Sequence, residues 1–75
     1  MPKQRGPSRA EKISGQLRAA RAYKGLSQNQ MDKLIGHKRG VYGTWERNPD
    51  KITLGNLRIV CKALEIDIGE LVRTT

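Results

Sequence analysis

The chain has 75 residues with 15 lysines and arginines against 7 aspartates and glutamates, a net charge of +8. That length sets a single small domain, and that imbalance favours a polyanionic partner, nucleic acid first. One cysteine and one histidine exclude an internal disulfide and a metal cluster of ligand spacing, and no paired carboxylates or phosphate loop stand ready for catalysis, so neither enzyme nor cofactor is expected.

The chain has no long apolar run and no signal-peptide core, so it is expected to be cytoplasmic, without membrane association. Two tyrosines and one tryptophan are its only aromatics, too few for a platform that stacks single-stranded bases.

Residues 1–8, MPKQRGPS, hold two prolines and a glycine and no apolar run, and so read as a flexible arm. Lys3, Arg5 and the adjoining Arg9 make it basic. It is either a solvated tail or an arm that follows a nucleic-acid backbone and gains affinity by displacing counterions. Residues 9–75 form the folded domain.

Ser8 and Glu11 have capping-box spacing, with Pro7 just outside. A first helix is predicted from about Arg9 to Lys24, with Ile13, Leu17 and Ala20 on its buried stripe and Lys12, Arg18 and Lys24 in solvent. Gly15 costs it about 1 kcal/mol against alanine, so tertiary packing must hold it. Gly25 supplies the stop.

Ser27 and Gln30 make a second capping box, followed by Met31, Leu34 and Ile35 on one apolar stripe. Gly36 then suits a left-handed residue that closes the helix. Only His37 and Lys38 intervene before a further helix, predicted over about 38–47. Its wheel puts Val41, Tyr42 and Trp45 on one side and Arg39, Gly40, Gly43, Thr44 and Arg47 on the other. A short helix, a glycine turn and a helix with one apolar and one cationic face is a helix-turn-helix pattern.

Arg47-Asn48-Pro49-Asp50-Lys51 reads as a turn-rich loop. Thr53 caps a fourth helix whose inward face is Leu54, Leu57, Val60, Cys61 and Leu64. Cys61, in mid-stripe, reads as a small buried hydrophobe. Asp67 and Glu70 mark a short fifth helix, with Ile66, Ile68 and Leu71 closing the core. The expected fold is all-α, a compact bundle of about five short helices, with no repeat and no second domain.

From Ile13 to Leu71 the chain resembles the lambda-repressor-like helix-turn-helix proteins, the family of Cro and many small bacterial and phage regulators. The resemblance is carried by Leu17, Arg21, Gly25-Leu26-Ser27-Gln28, Gly36, Glu46, Thr53-Leu54, Leu57, Ala63-Leu64 and Leu71, in order and spacing together. Three residues depart from the pattern. Asp32 stands where the family usually has alanine, His37 where it has valine, and Asn48 where it has glycine. His37 reads as a polar turn residue. Asp32 must either face solvent or find a basic partner.

The resemblance implies an ion pair between Arg21 and Glu46 that sets the angle between the first and third helices, although ordinary surface charges are the alternative. It also implies that Lys38, Arg39, Gly40 and Thr44 read bases in the major groove. Arg39 is the foremost of them, because a guanidinium can bond both O6 and N7 of one guanine. Gln28 matches a glutamine that touches phosphate, and Asn29, Arg47 and Lys51 are further phosphate candidates. Gly40 and Gly43 are expected on the outward helix face, where alanine would favour the helix yet crowd the groove.

The function implied is sequence-specific binding of double-stranded DNA by a small Cro- or repressor-type transcriptional regulator, homodimeric on a two-fold operator. One alternative is an antitoxin-like module that binds a protein partner as well as DNA. Another is non-specific association driven by charge.

Overall fold

A computed structural model describes residues 8–73 of the chain. Among them are five α-helices and one 3-10 turn: α1 (Arg9–Tyr23), α2 (Gln28–Ile35), α3 (Val41–Arg47), the turn Pro49–Lys51, α4 (Leu54–Leu64) and α5 (Ile68–Arg73). The fold is an all-α bundle.

The helix ends follow from local chemistry. Ser8 with Glu11 and Ser27 with Gln30 both form complete capping boxes, each hydroxyl accepting from the N3 amide while the N3 side chain accepts from the cap amide. Thr53 Oγ1 accepts from the Asn56 amide at 3.2 Å and so opens α4. Asp67 accepts from the Glu70 amide at 3.3 Å at the start of α5. At the other ends, Gly25 (φ +70°) and Gly36 (φ +75°) take the left-handed conformation in which a Cβ would be strained. Glu65 ends α4 in the same region at φ 60°, a rare position for a residue with a side chain.

Leu17, Met31, Ile35, Tyr42, Val60, Cys61, Leu64 and Leu71 make the core, with Ile13, Ala20, Leu26, Trp45, Ile52, Leu57, Ala63, Ile66 and Ile68 packed around it. At about 1.5–3 kcal/mol for each large apolar side chain removed from water, this cluster is what holds together helices too short to be stable alone. Two predicted core positions lie outside it. Leu34 is 58% and Leu54 62% exposed. α2 has only eight residues and α4 begins at Leu54, so the inward stripe of each is narrower than the apolar count suggested.

The third helix is also shorter than predicted. It begins at Val41, not near residue 38, because Gly40 is left-handed (φ +90°) and lies outside the helix. Lys38, Arg39 and Gly40 therefore form an exposed turn ahead of α3.

Candidate nucleic-acid interface

α3 is held from behind by a polar cluster centred on Glu46, which is 3% exposed. Arg21, on α1, meets it in a two-pronged pair: Nε lies 2.9 Å from Oε2, and an Nη donates to Oε1 at 3.2 Å. The other Nη of Arg21 donates to the Leu26 carbonyl at 2.9 Å, tying the α1–α2 turn into the same guanidinium. Tyr42 Oη donates to Oε2 and Gln28 Nε2 to Oε1, each at 2.8 Å. Ser14, a buried residue of α1 with no distinguishing signal in the sequence, donates its hydroxyl to the Glu46 carbonyl.

Burial pushes the Glu46 carboxyl upward, but hydrogen bonds from Arg21, Gln28 and Tyr42 together outweigh it and hold the group below its ordinary range. The Arg21 guanidinium is raised in turn, chiefly by its hydrogen bond to Glu46. Burial, and then the bond to Glu46, raise the Tyr42 phenol. One carboxylate thus joins α1, α2 and α3, and among the described residues no buried side-chain nitrogen or oxygen lacks a hydrogen-bond partner. A cluster satisfied in this way fixes geometry, whatever its net stabilisation after desolvation.

Two of these interactions revise expectations. Gln28 commits one N–H of its carboxamide to Glu46 inside the domain. Gly43 does not face outward but is buried against Gln28. A Cβ on Gly43 would come within 2.9 Å of Gln28 Oε1 and 3.3 Å of its Cδ. A methyl at 43 would therefore have to displace the end of the Gln28 side chain, which is held by its bond to Glu46.

Asp32 neither faces solvent nor finds a basic partner. It is 3% exposed, and its carboxylate accepts the backbone N–H groups of Gly40 and Tyr42, each at 2.8 Å. It thereby supplies the cap that Gly40, lacking a side chain, cannot give α3. The remoteness of the pair hid it from sequence reasoning: eight residues separate Asp32 from Gly40. The available signals were the departure from alanine at Asp32 and the absence of a capping side chain before α3.

The outer side of this arrangement is basic and polar. Lys38, Arg39, Thr44, Arg47, Asn29 and Lys51 are all exposed, whereas Gln28 is half-buried. Arg39 joins Asn29, Asp32, Lys33 and His37 around a cleft of about 280 Å³ between α2 and the turn ahead of α3. Arg47 Nη1 lies 3.5 Å from where a Gly43 Cβ would stand. Thr44 turns its hydroxyl back onto the Gly40 carbonyl at 3.1 Å, which leaves its methyl and oxygen lone pairs for an outside partner. His37 sits edge-on to Trp45, ring centroids 4.9 Å apart and planes at 76°. Arg9 opens α1 at the surface; Lys3 and Arg5 of the arm lie outside the described residues.

A helix-turn-helix family model, HTH_3, matches residues 17–71. The chain belongs to that family, the lambda-repressor-like helix-turn-helix proteins, and is a sequence-specific DNA-binding domain. No curated protein and no solved structure matches it. No described helix is long and apolar enough to cross a membrane, and no group of three or more His, Cys, Asp and Glu among the described residues is placed to hold a metal ion.

Proposed function

We propose that this chain is a small cytoplasmic transcriptional regulator of the Cro or repressor type, binding a two-fold operator as a homodimer. The observation that carries the reading is the exposed turn Lys38–Gly40 at the head of α3, with the α3 backbone behind it pinned by two buried carboxylates, Asp32 and Glu46. A rigid short helix with long cations at its leading edge suits the major groove, where the first residues of the second motif helix meet base edges.

In this reading Arg39 is the principal base reader, aimed at a guanine. Lys38 reaches a base or a phosphate, and Thr44 offers its methyl to a thymine or its oxygen to a base amino group. Gly40 contributes no side chain and gives the backbone a close approach. Asn29, Arg47 and Lys51 hold phosphates on either flank. Gln28 joins them through the second hydrogen of its amide, the first being on Glu46. The basic arm adds Lys3, Arg5 and Arg9 to the counterion release.

Selection of duplexes from a random pool by the purified chain tests this function. Recovered sequences should share two half-sites related by a two-fold axis and spaced by about one helical turn or a multiple of it. A pool that stays random while still binding in a salt-sensitive way would reduce the protein to a charge-driven binder.

A further inference from the structure

Asp32 is a charged residue on the inner side of α2, where the helix packs against α3, and a charge buried there must be satisfied by what α3 offers. It is satisfied entirely by backbone. Oδ2 accepts from Gly40 and Oδ1 from Tyr42, both at 2.8 Å. Between those two amides, the Val41 N–H is taken by the Lys38 carbonyl at 3.2 Å. Of the three successive amides at residues 40–42, two thus end on one side chain from another helix.

The left-handed Gly40 makes this convergence feasible. At φ +90° the chain turns so sharply that the amides of residues 40 and 42 point to a common place, and a carboxylate has two acceptor oxygens to meet them. Arg39 is the residue immediately before this clamp. It also lines the same cleft as Asp32.

We propose that Asp32 is a positioning residue for base reading: its carboxylate bridges the Gly40 and Tyr42 amides and so fixes the turn that presents Lys38 and Arg39. The role rests on the reading of that turn as the DNA-contacting edge. A bidentate hold on a base demands a defined origin for the guanidinium, whereas a phosphate tolerates a range of them. Releasing the clamp should therefore weaken binding to a selected site more than binding to random DNA. Charge alone acts in the opposite direction. Removing a negative charge beside Lys33 and Arg39 raises the domain's positive charge and favours all DNA alike.

The full-length chain carrying Asp32→Asn, with Asp32→Ala beside it, separates these effects. Asparagine keeps one acceptor oxygen but sets an NH₂ against the second amide, and alanine removes both acceptors. Each variant is titrated with a duplex selected by the wild-type chain and with a random duplex of equal length, at one salt concentration and below its own melting temperature. The ratio of the two affinities should fall by about tenfold for Asp32→Asn, the scale of a single base-specific interaction, with random-duplex affinity unchanged or higher. Amide hydrogen exchange without DNA should speed up at Gly40 or Tyr42 in the asparagine variant, while amides of α1 and α4 keep their wild-type rates.

A lower melting temperature with an unchanged affinity ratio would make Asp32 a purely structural cap and overturn the proposal. So would unchanged exchange at both amides. Should the alanine variant not fold, the asparagine variant decides by itself. A wild-type chain that selects no site would instead overturn the regulator reading, and with it the specificity role; the exchange rates would then show separately whether Asp32 holds the turn.

Discussion

Gly40 and Gly43 stand three residues apart on what a wheel draws as one outward face, yet the fold treats them in opposite ways. Gly40 has open space around it, but its φ of +90° excludes a relaxed side chain. Gly40→Ala should therefore destabilise the domain by about 1–2 kcal/mol, the cost of a left-handed L-residue, and thermal melts will read it. Gly43 has helical geometry and no room: its added methyl must displace Gln28 Oε1. The helix propensity gained, about 1 kcal/mol, is then offset by strain on the Gln28–Glu46 hydrogen bond, an interaction with a charged group worth about 1.5–3 kcal/mol where buried. Gly43→Ala alone is expected to be neutral to destabilising, whereas in a Gln28→Ala background the same change should stabilise by up to about 1 kcal/mol. Melts of the four proteins of that cycle check the reversal of sign. Arg39→Ala should lose about 1–3 kcal/mol of discrimination at one guanine per half-site. Equal losses on matched and mismatched duplexes would leave Arg39 a phosphate-binding residue.

Between elements, the Glu46 cluster is the joint of α1, α2 and α3, and its ionisation makes the joint sensitive to acid. The folded carboxyl titrates below its ordinary value of 4.5. A depressed carboxylate contributes stability that is complete above the unfolded value and is lost as pH falls through the folded one. Wild-type stability should accordingly fall in the acid range below about 4.5. Glu46→Gln, less stable at neutral pH, should lack this component, so the two stability curves converge on acidification. Denaturant melts at several pH values will test it, and curves that remain parallel would remove Glu46 as the source. The second inter-helix charge pair, Lys24–Glu65 at 2.7 Å, joins the ends of α1 and α4 at the surface with Glu65 74% exposed. Solvent screens such a pair, and it should contribute little.

For the whole molecule, a net charge of +8 makes salt the main control on affinity. Removing residues 1–8 takes away Lys3 and Arg5. It should lower DNA affinity and flatten the slope of log affinity against log salt by roughly 0.9 for each phosphate that the arm no longer neutralises. Since residue 8 supplies the cap of α1, a chain beginning at Ser8 gives the cleaner comparison. An unchanged slope would make the arm a passive tail. Sedimentation of the chain alone and on a two-fold duplex will show whether two copies bind together.

Much of this protein was legible in the residue order, because its signals are local. Ser8–Glu11, Ser27–Gln30 and Thr53 announce helix starts within one turn, and Gly25 and Gly36 announce ends, since cap chemistry acts over three or four residues. The Arg21–Glu46 pair was visible through the family pattern alone, for no local rule joins residues 25 apart. What tertiary structure decided are the points at which helices meet. Leu34 and Leu54 are exposed because the helix directions, not hydropathy, determine which side of a short helix is covered. Gly43 is buried because Gln28 lies over it. α3 begins at Val41 because Asp32, from another helix, gathers the Gly40 and Tyr42 amides and lets the chain turn left-handed at Gly40. A hydrogen-bonding partner brought in by packing has no signature at any fixed spacing, which is why the sequence determined the caps of this domain's helices and the fold alone determined the shape of the turn ahead of α3.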